Sequence, residues 1–438
     1  MAMKITVIGL GYLGATHAVA MAKVGHHVIG IEPNQQKIES LLQGKAGFYE
    51  PGLDDALAEQ IAAGRIEFKS AHDEASRAAD IHFICVGTPQ TLGSMAADTS
   101  YLESAIRDVA PYLREDALVV GKSTVPVGTA FKLTEQLATA TGFSSPNLAW
   151  NPEFLREGTA LEDSLSPDRL VIGVTNSRSE ELLRAVFAPM ISAGIPFLVT
   201  DLATAELVKA AANAFLATKI SFINAMAEIA EVSGADATAL AKAIGHDERI
   251  GNKFLRNGVG FGGGCLPKDI RALVARAEEL GVGQSVAYLT EIDKINLRRR
   301  DRVIHLLTEE LGDLSGKRVL MLGAAFKPDS DDVRDSPALA IALLAKNAGA
   351  EVVVHDPVAL HGVALKHPEL ILEQDLAKAF TDVDAVVLAT EWKEYRELDP
   401  SGLVLRNKFI IDGRNVLDVA KWQQAGFKVQ ALGRTITN

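Results

Sequence analysis

The sequence predicts an α/β protein with two doubly wound parallel sheets joined by a long central helix. Three observations carry this expectation. Short apolar, β-rich runs alternate with Ala-rich helical stretches over residues 4–199, the pattern of parallel strands linked by helical crossovers. A stretch without a breaker, "LATAELVKAAANAFLATKISFINAMAEIAEVS", then follows Asp201. The alternation returns over residues 317–415. A chain of 438 residues exceeds one ordinary core at roughly 150 residues per domain. The expected division is 1–200, 201–312 and 313–438.

Lys-Ile-Thr-Val-Ile opens the first sheet, and His-Val-Ile-Gly-Ile gives its second strand after a glycine turn and an Ala-rich helix. Together they form a βαβ unit. Buried strands are expected at 81–86, 117–121, 147–150, 169–174 and 195–199. The long helix takes Asp201 or Thr204 as its cap. Helical pattern continues over 269–311 with a break around Gly281 and Gly283. Strands at 317–326, 350–357, 384–390 and 408–415 make a second Rossmann-like domain.

Composition excludes several classes. Hydrophobic residues are 48% and charged residues 23% of the chain, as in ordinary globular proteins. A net charge of −12 disfavours nucleic-acid binding through a basic surface. The run "LRRRDR" at 297–302 reads as a solvated or salt-bridged helix face. No apolar run approaches the roughly 18 residues of a membrane span. Two cysteines and an N-terminus without signal-peptide character point to a reducing cytoplasm. Ten scattered histidines suggest no metal site.

Gly9-Leu10-Gly11-Tyr12-Leu13-Gly14 follows a strand and opens a helix, so it reads as a dinucleotide turn with phosphates at the helix N-terminus. Glu32 ends the second strand, where a carboxylate bonds ribose hydroxyls and repels a 2′-phosphate. NAD is therefore the expected cofactor. Cys85-Val86-Gly87-Thr88-Pro89 ends a strand at the sheet's carboxyl edge, with Cys85 read as a buried small hydrophobe. Lys122-Ser123-Thr124 follows another strand. Glu153 and Glu157, four apart, would share a face if their segment were helical, although a solvated acidic helix start explains them equally. Lys209 and Asn213 stand one turn apart on the long helix; a snorkelling surface lysine is the bland alternative. Cys265 follows Gly260-Phe261-Gly262-Gly263-Gly264 and stands at the start of a helix, where the dipole and a cation such as Lys268 or Lys209 would favour thiolate. Asp269 lies four residues on. A cysteine packed beside glycines for lack of room is the competing explanation.

The chain resembles the nucleotide-sugar 6-dehydrogenases, the UDP-glucose/GDP-mannose dehydrogenase family, nearly end to end. The resemblance is carried by GLGYLG, FYEPGL, CVGTP, KSTVPVG, NPEFLREG, AELVKAAANAFLA, RIGNKFL, GFGGGCLPKD, FKPDSDDVRDS and IDGRNVLD. It departs at Gly264, where the family commonly has Ser; little effect is expected, since the residue stays small. The resemblance implies a two-step, four-electron oxidation of UDP-glucose at C6 to UDP-glucuronate, consuming two NAD and feeding polysaccharide biosynthesis. It implies that Cys265 carries a thiohemiacetal and then a thioester. Lys209 would stabilise the oxyanion, Asp269 position water or relay a proton, and Asn213 donate a hydrogen bond. Glu153 would serve as base for hydrolysis, with Thr124 holding the water.

By the same resemblance Glu153, Phe154, Leu155, Lys209, Asn213, Phe254, Arg256, Phe261, Gly262, Phe326, Lys327 and Arg414 bind the nucleotide sugar. Lys37, Glu157, Lys268 and Arg334 would join Gly9, Gly11, Tyr12, Leu13, Gly14, Glu32, Val86, Gly87, Thr88, Pro89 and Thr124 on NAD. Arg249 would reach a neighbouring subunit's site in a homodimer or larger assembly. A GDP-mannose or UDP-N-acetylhexosamine 6-dehydrogenase would share these motifs, and a nucleotide-sugar-binding sensor is the non-enzyme alternative.

Overall fold

The computed structural model describes residues 2–436. It divides into two compact units, Met1–Ala212 with Ala275–Gly281, and Asn213–Val274 with Val282–Asn438.

The first unit is built on an eight-stranded sheet: β1 (Lys4–Ile8), β2 (His27–Ile31), β3 (Ile66–Lys69), β4 (Ile81–Ile84), β5 (Leu118–Gly121), β6 (Asn147–Trp150), β7 (Leu170–Gly173) and β8 (Phe197–Thr200). The spatial order is 3-2-1-4-5-6-7-8. Strands β1, β4, β5 and β7 are almost wholly buried. Helices cover both faces of such a sheet, so its strands read as continuous apolar runs. The order reverses between β1 and β4, which opens a crevice at their carboxyl ends.

One pairing departs from the expected all-parallel sheet. Strand β7 runs antiparallel to β6, meeting it at Trp150 and Gly173. After Trp150 the chain passes through irregular residues 151–156 and only the short helix Ala160–Leu165. It returns in the opposite direction because no full crossover helix carries it back over the sheet. The irregular segment also means that Glu153 and Glu157 do not share a helix face.

The second unit holds a six-stranded sheet of β9 (Arg318–Leu322), β10 (Glu351–His355), β11 (Ile371–Leu372), β12 (Ala385–Leu388), β13 (Phe409–Asp412) and β14 (Lys428–Ala431), in the order 11-10-9-12-13-14. Every pair is parallel. Edge strands β11 and β14 escaped the sequence pattern, being too short or too mixed in polarity to give an apolar run.

The long helix spans Leu202–Ser233. Asp201 caps it, accepting from Thr204 N–H at 2.8 Å and from the Thr204 hydroxyl at 2.7 Å. Both expected cap residues thus act together. Helices Leu266–Glu279 and Ala287–Leu311 flank a 3₁₀ turn at Gly283–Val286, where the break was expected. The basic run lies on the second of these and is salt-bridged: Arg298 pairs with Glu228, and Arg299 and Arg302 with Glu231. Among the described residues no helix is long and apolar enough to cross a membrane.

Candidate active site

The turn after β1 needs glycine for steric reasons. Gly9 has φ +84°, and a Cβ there would lie 2.8 Å from Val86 Cγ1. A Cβ on Gly14 would sit 1.8 Å from Gly9 O, so helix and turn touch backbone to backbone. Beside Gly11 and Gly87 there is open space instead. The helix Tyr12–Lys23 begins after Gly11 with no side-chain cap. Its first N–H groups are left for an anion.

Glu32 is buried, and backbone donors orient its carboxylate: Leu10 N–H on Oε2 and Asn34 N–H on Oε1, each at 3.1 Å. Lys37 Nζ lies 3.6 Å from the same group. Across the switch point the edge loops are stitched together. Ser123 Oγ donates to Val86 O at 2.6 Å, and Thr88 Oγ1 to Thr124 O at 2.7 Å. Cys85 is buried, and burial pushes its thiol up to about 12. It is inert as a nucleophile and serves as a core residue.

Two carboxylates that the sequence did not single out hold this edge in place. Glu206 accepts from Gly128 N–H at 2.7 Å and Ala130 N–H at 2.5 Å, capping the helix Thr129–Thr141 from the long helix. Burial pushes it up to about 7, against the two N–H groups that favour its charged form. Arg276 holds the same turn by donating to Val127 O at 2.9 Å. The second carboxylate, Glu50, belongs to the FYEPGL motif, to which no role was attached. It accepts from Tyr12 O–H, from Gly158 N–H at 2.7 Å and from Ala160 N–H at 2.7 Å.

Lys209 and Glu153 meet as a pair, Nζ to Oε1 3.1 Å, with both side chains largely buried. The lysine is therefore not a snorkelling surface residue. Glu153 Oε2 also accepts from Leu155 N–H at 2.8 Å. The Phe154 ring has Lys209 Nζ 5.5 Å and Arg169 Cζ 3.9 Å from its centroid, favourable placements for cations over an aromatic face. Tyr12 and Phe48 rings pack 4.7 Å apart, and Glu157 lies close enough to Tyr12 to act on its phenol.

In the second unit Cys265 is exposed and immediately precedes the helix Leu266–Glu279. Its carbonyl accepts from Asp269 N–H at 2.9 Å. Asp269 is buried and doubly held: Asn213 Nδ2 donates at 2.6 Å and Lys268 Nζ at 2.6 Å. Asn213, 56 positions away, and Lys268 thus converge on the Asp269 carboxylate, in the first turn of the helix that Cys265 precedes.

The glycines before Cys265 face the chain's own residues. A Cβ on Gly262 would lie 2.3 Å from Asp335 O, and one on Gly263 2.8 Å from the Phe326 ring. At Gly264 it would meet the Arg334 guanidinium at 2.3 Å. A serine there therefore requires Arg334 to move, an interaction the sequence did not reveal. Arg334 itself pairs with Asp332 at 2.7 Å, and Lys327 Nζ stands 5.6 Å from the Phe326 ring centroid. Arg414 binds three loops at once, donating to Ala389 O, Gly260 O and Phe326 O at 2.6, 2.9 and 3.2 Å.

Other expected residues stand apart from these groups. Phe261 packs into an apolar cluster with Ala214, Ala217, Ile270, Val274, Leu289 and Ile292. Core packing accounts for its side chain. Arg249, Phe254 and Arg256 are exposed; Arg249 pairs with Asp247 at 2.6 Å, and Phe254 has φ 64°. Among the described residues no group of three or more His, Cys, Asp or Glu could hold a metal ion.

Three family models cover most of the chain. Residues 3–191 match the NAD binding domain, 203–298 the central domain and 320–419 the UDP binding domain of the UDP-glucose/GDP-mannose dehydrogenase family. The chain belongs to the UDP-glucose/GDP-mannose dehydrogenase family. A UDP-glucose 6-dehydrogenase of Rickettsia felis is 41% identical over 98% of this chain and 96% of its own, and one of Rhizobium meliloti 39% over 99% and 100%. A solved UDP-glucose dehydrogenase from Pyrobaculum islandicum superposes with TM-score 0.91 at 38% identity, covering 99% of this chain and 98% of that one. A UDP-D-ManNAc dehydrogenase from Pyrococcus horikoshii gives 0.86 at 28%, covering 99% of each.

The protein is thus an NAD-dependent nucleotide-sugar dehydrogenase of this family. The residues of the first unit fit NAD on physical grounds. An uncapped helix at Gly11 and open space beside Gly11 and Gly87 suit a phosphate, and the oriented Glu32 carboxylate would suit a ribose hydroxyl.

Proposed function

We propose that the protein oxidises UDP-glucose at C6 to UDP-glucuronate in two NAD-dependent steps. The observation that supports this best is the likeness, end to end, to several UDP-glucose 6-dehydrogenases at about 40% identity. Bound NAD supplies the hydride acceptor in each step. In the first, the C6 alcohol loses a proton and a hydride and becomes an aldehyde. The Cys265 thiolate then adds to the carbonyl carbon, forming a C–S bond and a thiohemiacetal oxyanion. Loss of a second hydride from that carbon leaves a thioester. Water adds to it, the C–S bond breaks, and the carboxylate and the thiol are released. The balance is one alcohol, two NAD and one water consumed for one carboxylate, two NADH and the released protons.

The roles are those the family resemblance implies, and the contacts of Lys209, Glu153 and Asp269 are compatible with them. Lys209 stabilises the developing oxyanion, and Glu153, its ion-pair partner, takes the proton from the hydrolytic water held by Thr124. Asp269, fixed by Asn213 and Lys268, relays a proton. Phe154, Leu155, Arg256, Phe326, Lys327 and Arg414 bind the nucleotide sugar, and Glu157, Lys268 and Arg334 the cofactor. The segments 1–200, 201–312 and 313–438 serve cofactor binding, catalysis with assembly, and UDP binding. The working form is a homodimer or larger, because Phe215, Phe222 and Ile229 leave an apolar stripe exposed along the long helix at a spacing of seven; the reducing cytoplasm expected from two cysteines is its compartment. Arg249, exposed on each chain, then reaches a neighbouring site.

The test is NADH absorbance with a panel of nucleotide sugars. Two NADH per UDP-glucose, with UDP-glucuronate as product, is expected. Turnover of GDP-mannose or a UDP-N-acetylhexosamine in its place would reassign the substrate, and binding without turnover would favour a sensor.

A further inference from the structure

Glu50 is buried, yet its carboxylate takes hydrogen bonds from two separate parts of the first unit. Oε2 accepts from the Tyr12 hydroxyl and from Gly158 N–H at 2.7 Å. Oε1 accepts from Ala160 N–H at 2.7 Å and Leu161 N–H at 3.4 Å. The Tyr12 oxygen in turn accepts from Gly158 N–H at 3.1 Å. Burial and Glu50 both hold the Tyr12 phenol in its protonated form, so its hydroxyl stays a donor.

Tyr12 is the first residue of the helix that follows Gly11, and Gly158 closes the loop that begins at Asn151. Residues 151–156 have no regular secondary structure, so side-chain ties of this kind set their position. A displacement of the turn at Tyr12 reaches Gly158 both through the shared Glu50 Oε2 and directly through the phenol oxygen. We propose that Glu50 is a positioning residue that couples the cofactor turn to the loop carrying Glu153, Phe154 and Leu155, so that dinucleotide and nucleotide sugar favour each other's binding. This rests on the functional reading above, which puts the dinucleotide at Tyr12 and the sugar at that loop. Linkage requires the effect to be reciprocal: each ligand raises affinity for the other by the same factor.

The experiment is calorimetric titration of UDP-glucose into the full-length protein with and without saturating NADH, a pair that cannot turn over. The wild type is expected to bind UDP-glucose about 5-fold or more tightly with NADH present. In Glu50→Gln that ratio should fall toward one while each ligand alone still binds; in Tyr12→Phe, which alters the cofactor turn itself, the ratio measured at saturating NADH should fall likewise, whatever the change in NADH affinity. Tyr12→Phe leaves the backbone bonds to Glu50 in place, so it carries the test if Glu50→Gln fails to fold. A purely structural Glu50 would lower the melting temperature and the active fraction without moving the ratio. A ratio of one in the wild type, or an unchanged ratio in Tyr12→Phe, overturns the coupling. Wild-type protein that binds NADH but no UDP-glucose would instead overturn the functional reading.

Discussion

Lys209 Nζ lies 3.1 Å from Glu153 Oε1, and this ion pair joins the long helix to the irregular loop after β6. Both side chains are largely withdrawn from water, so each depends on the other for compensation of its charge. Removing the ammonium as Lys209→Ala is expected to lower kcat by about 10²–10³-fold, the range for loss of one oxyanion donor. Steady-state NADH production measures it. A fall of less than tenfold would mean that Lys209 only balances Glu153.

Cys265→Ala should abolish uronic-acid formation while NAD binding persists, because no thiohemiacetal can form to donate the second hydride. Product analysis by mass spectrometry decides the matter. In Cys265→Ser the poorer nucleophile and more sluggish acyl donor are expected to leave a sugar ester on the protein. Acid formation by Cys265→Ala at near wild-type rate would end the covalent mechanism.

Glu32 has both oxygens oriented by backbone N–H groups, and on the proposed placement of NAD its carboxylate faces the position of a 2′-phosphate. Strong preference for NAD over NADP is the expected result, and Glu32→Ala should narrow it. Equal kcat/KM for the two cofactors in the wild type would contradict this placement.

Acid should destabilise the first unit through its buried imidazoles. Burial lowers His17, His26, His72 and His82, the last to about 3. A histidine with a depressed folded pKa contributes its full share above the unfolded value near 6.5, and that share is lost as pH falls below it. One unit below, His82 alone costs about 1.4 kcal/mol. Glu206 works the other way, since a raised carboxyl favours the folded state more as pH falls through 7. The comparison is therefore the melting temperature at pH 7.5 and 5.5 in wild type and His82→Asn, whose amide lies where Nδ1 bonds Thr6. A drop of equal size in both would remove His82 from the explanation.

What was legible in the sequence was what local chemistry dictates. The turn at Gly9–Gly14, the caps at Asp201, the break at Gly281 and Gly283, and Cys265 ahead of a helix all depend on neighbours within a few positions. The buried strands announced themselves as apolar runs because helices cover both faces. Strands β3, β11 and β14 lacked that signal, and the reversed direction of β7 followed from an irregular connection that no periodicity marks.

The carboxylates Glu50 and Glu206 were not legible, because their donors lie 108 and 78 positions away at Gly158 and Gly128. An isolated acid in a sequence carries no sign of which distant N–H groups it will meet. The same holds for Gly262 and Gly264, whose need for a missing side chain comes from Asp335 and Arg334, and for Phe261, whose ring the core claims. By itself the sequence determined the central strands of both sheets, the long helix and the glycine turn at Gly9–Gly14, because hydrophobic period and backbone chemistry are local properties. Tertiary structure alone decided that Glu153 meets Lys209, that Asn213 meets Asp269 and that the Glu50 carboxylate meets both Tyr12 and Gly158, because a buried charge is tolerable only where the whole fold delivers its partners.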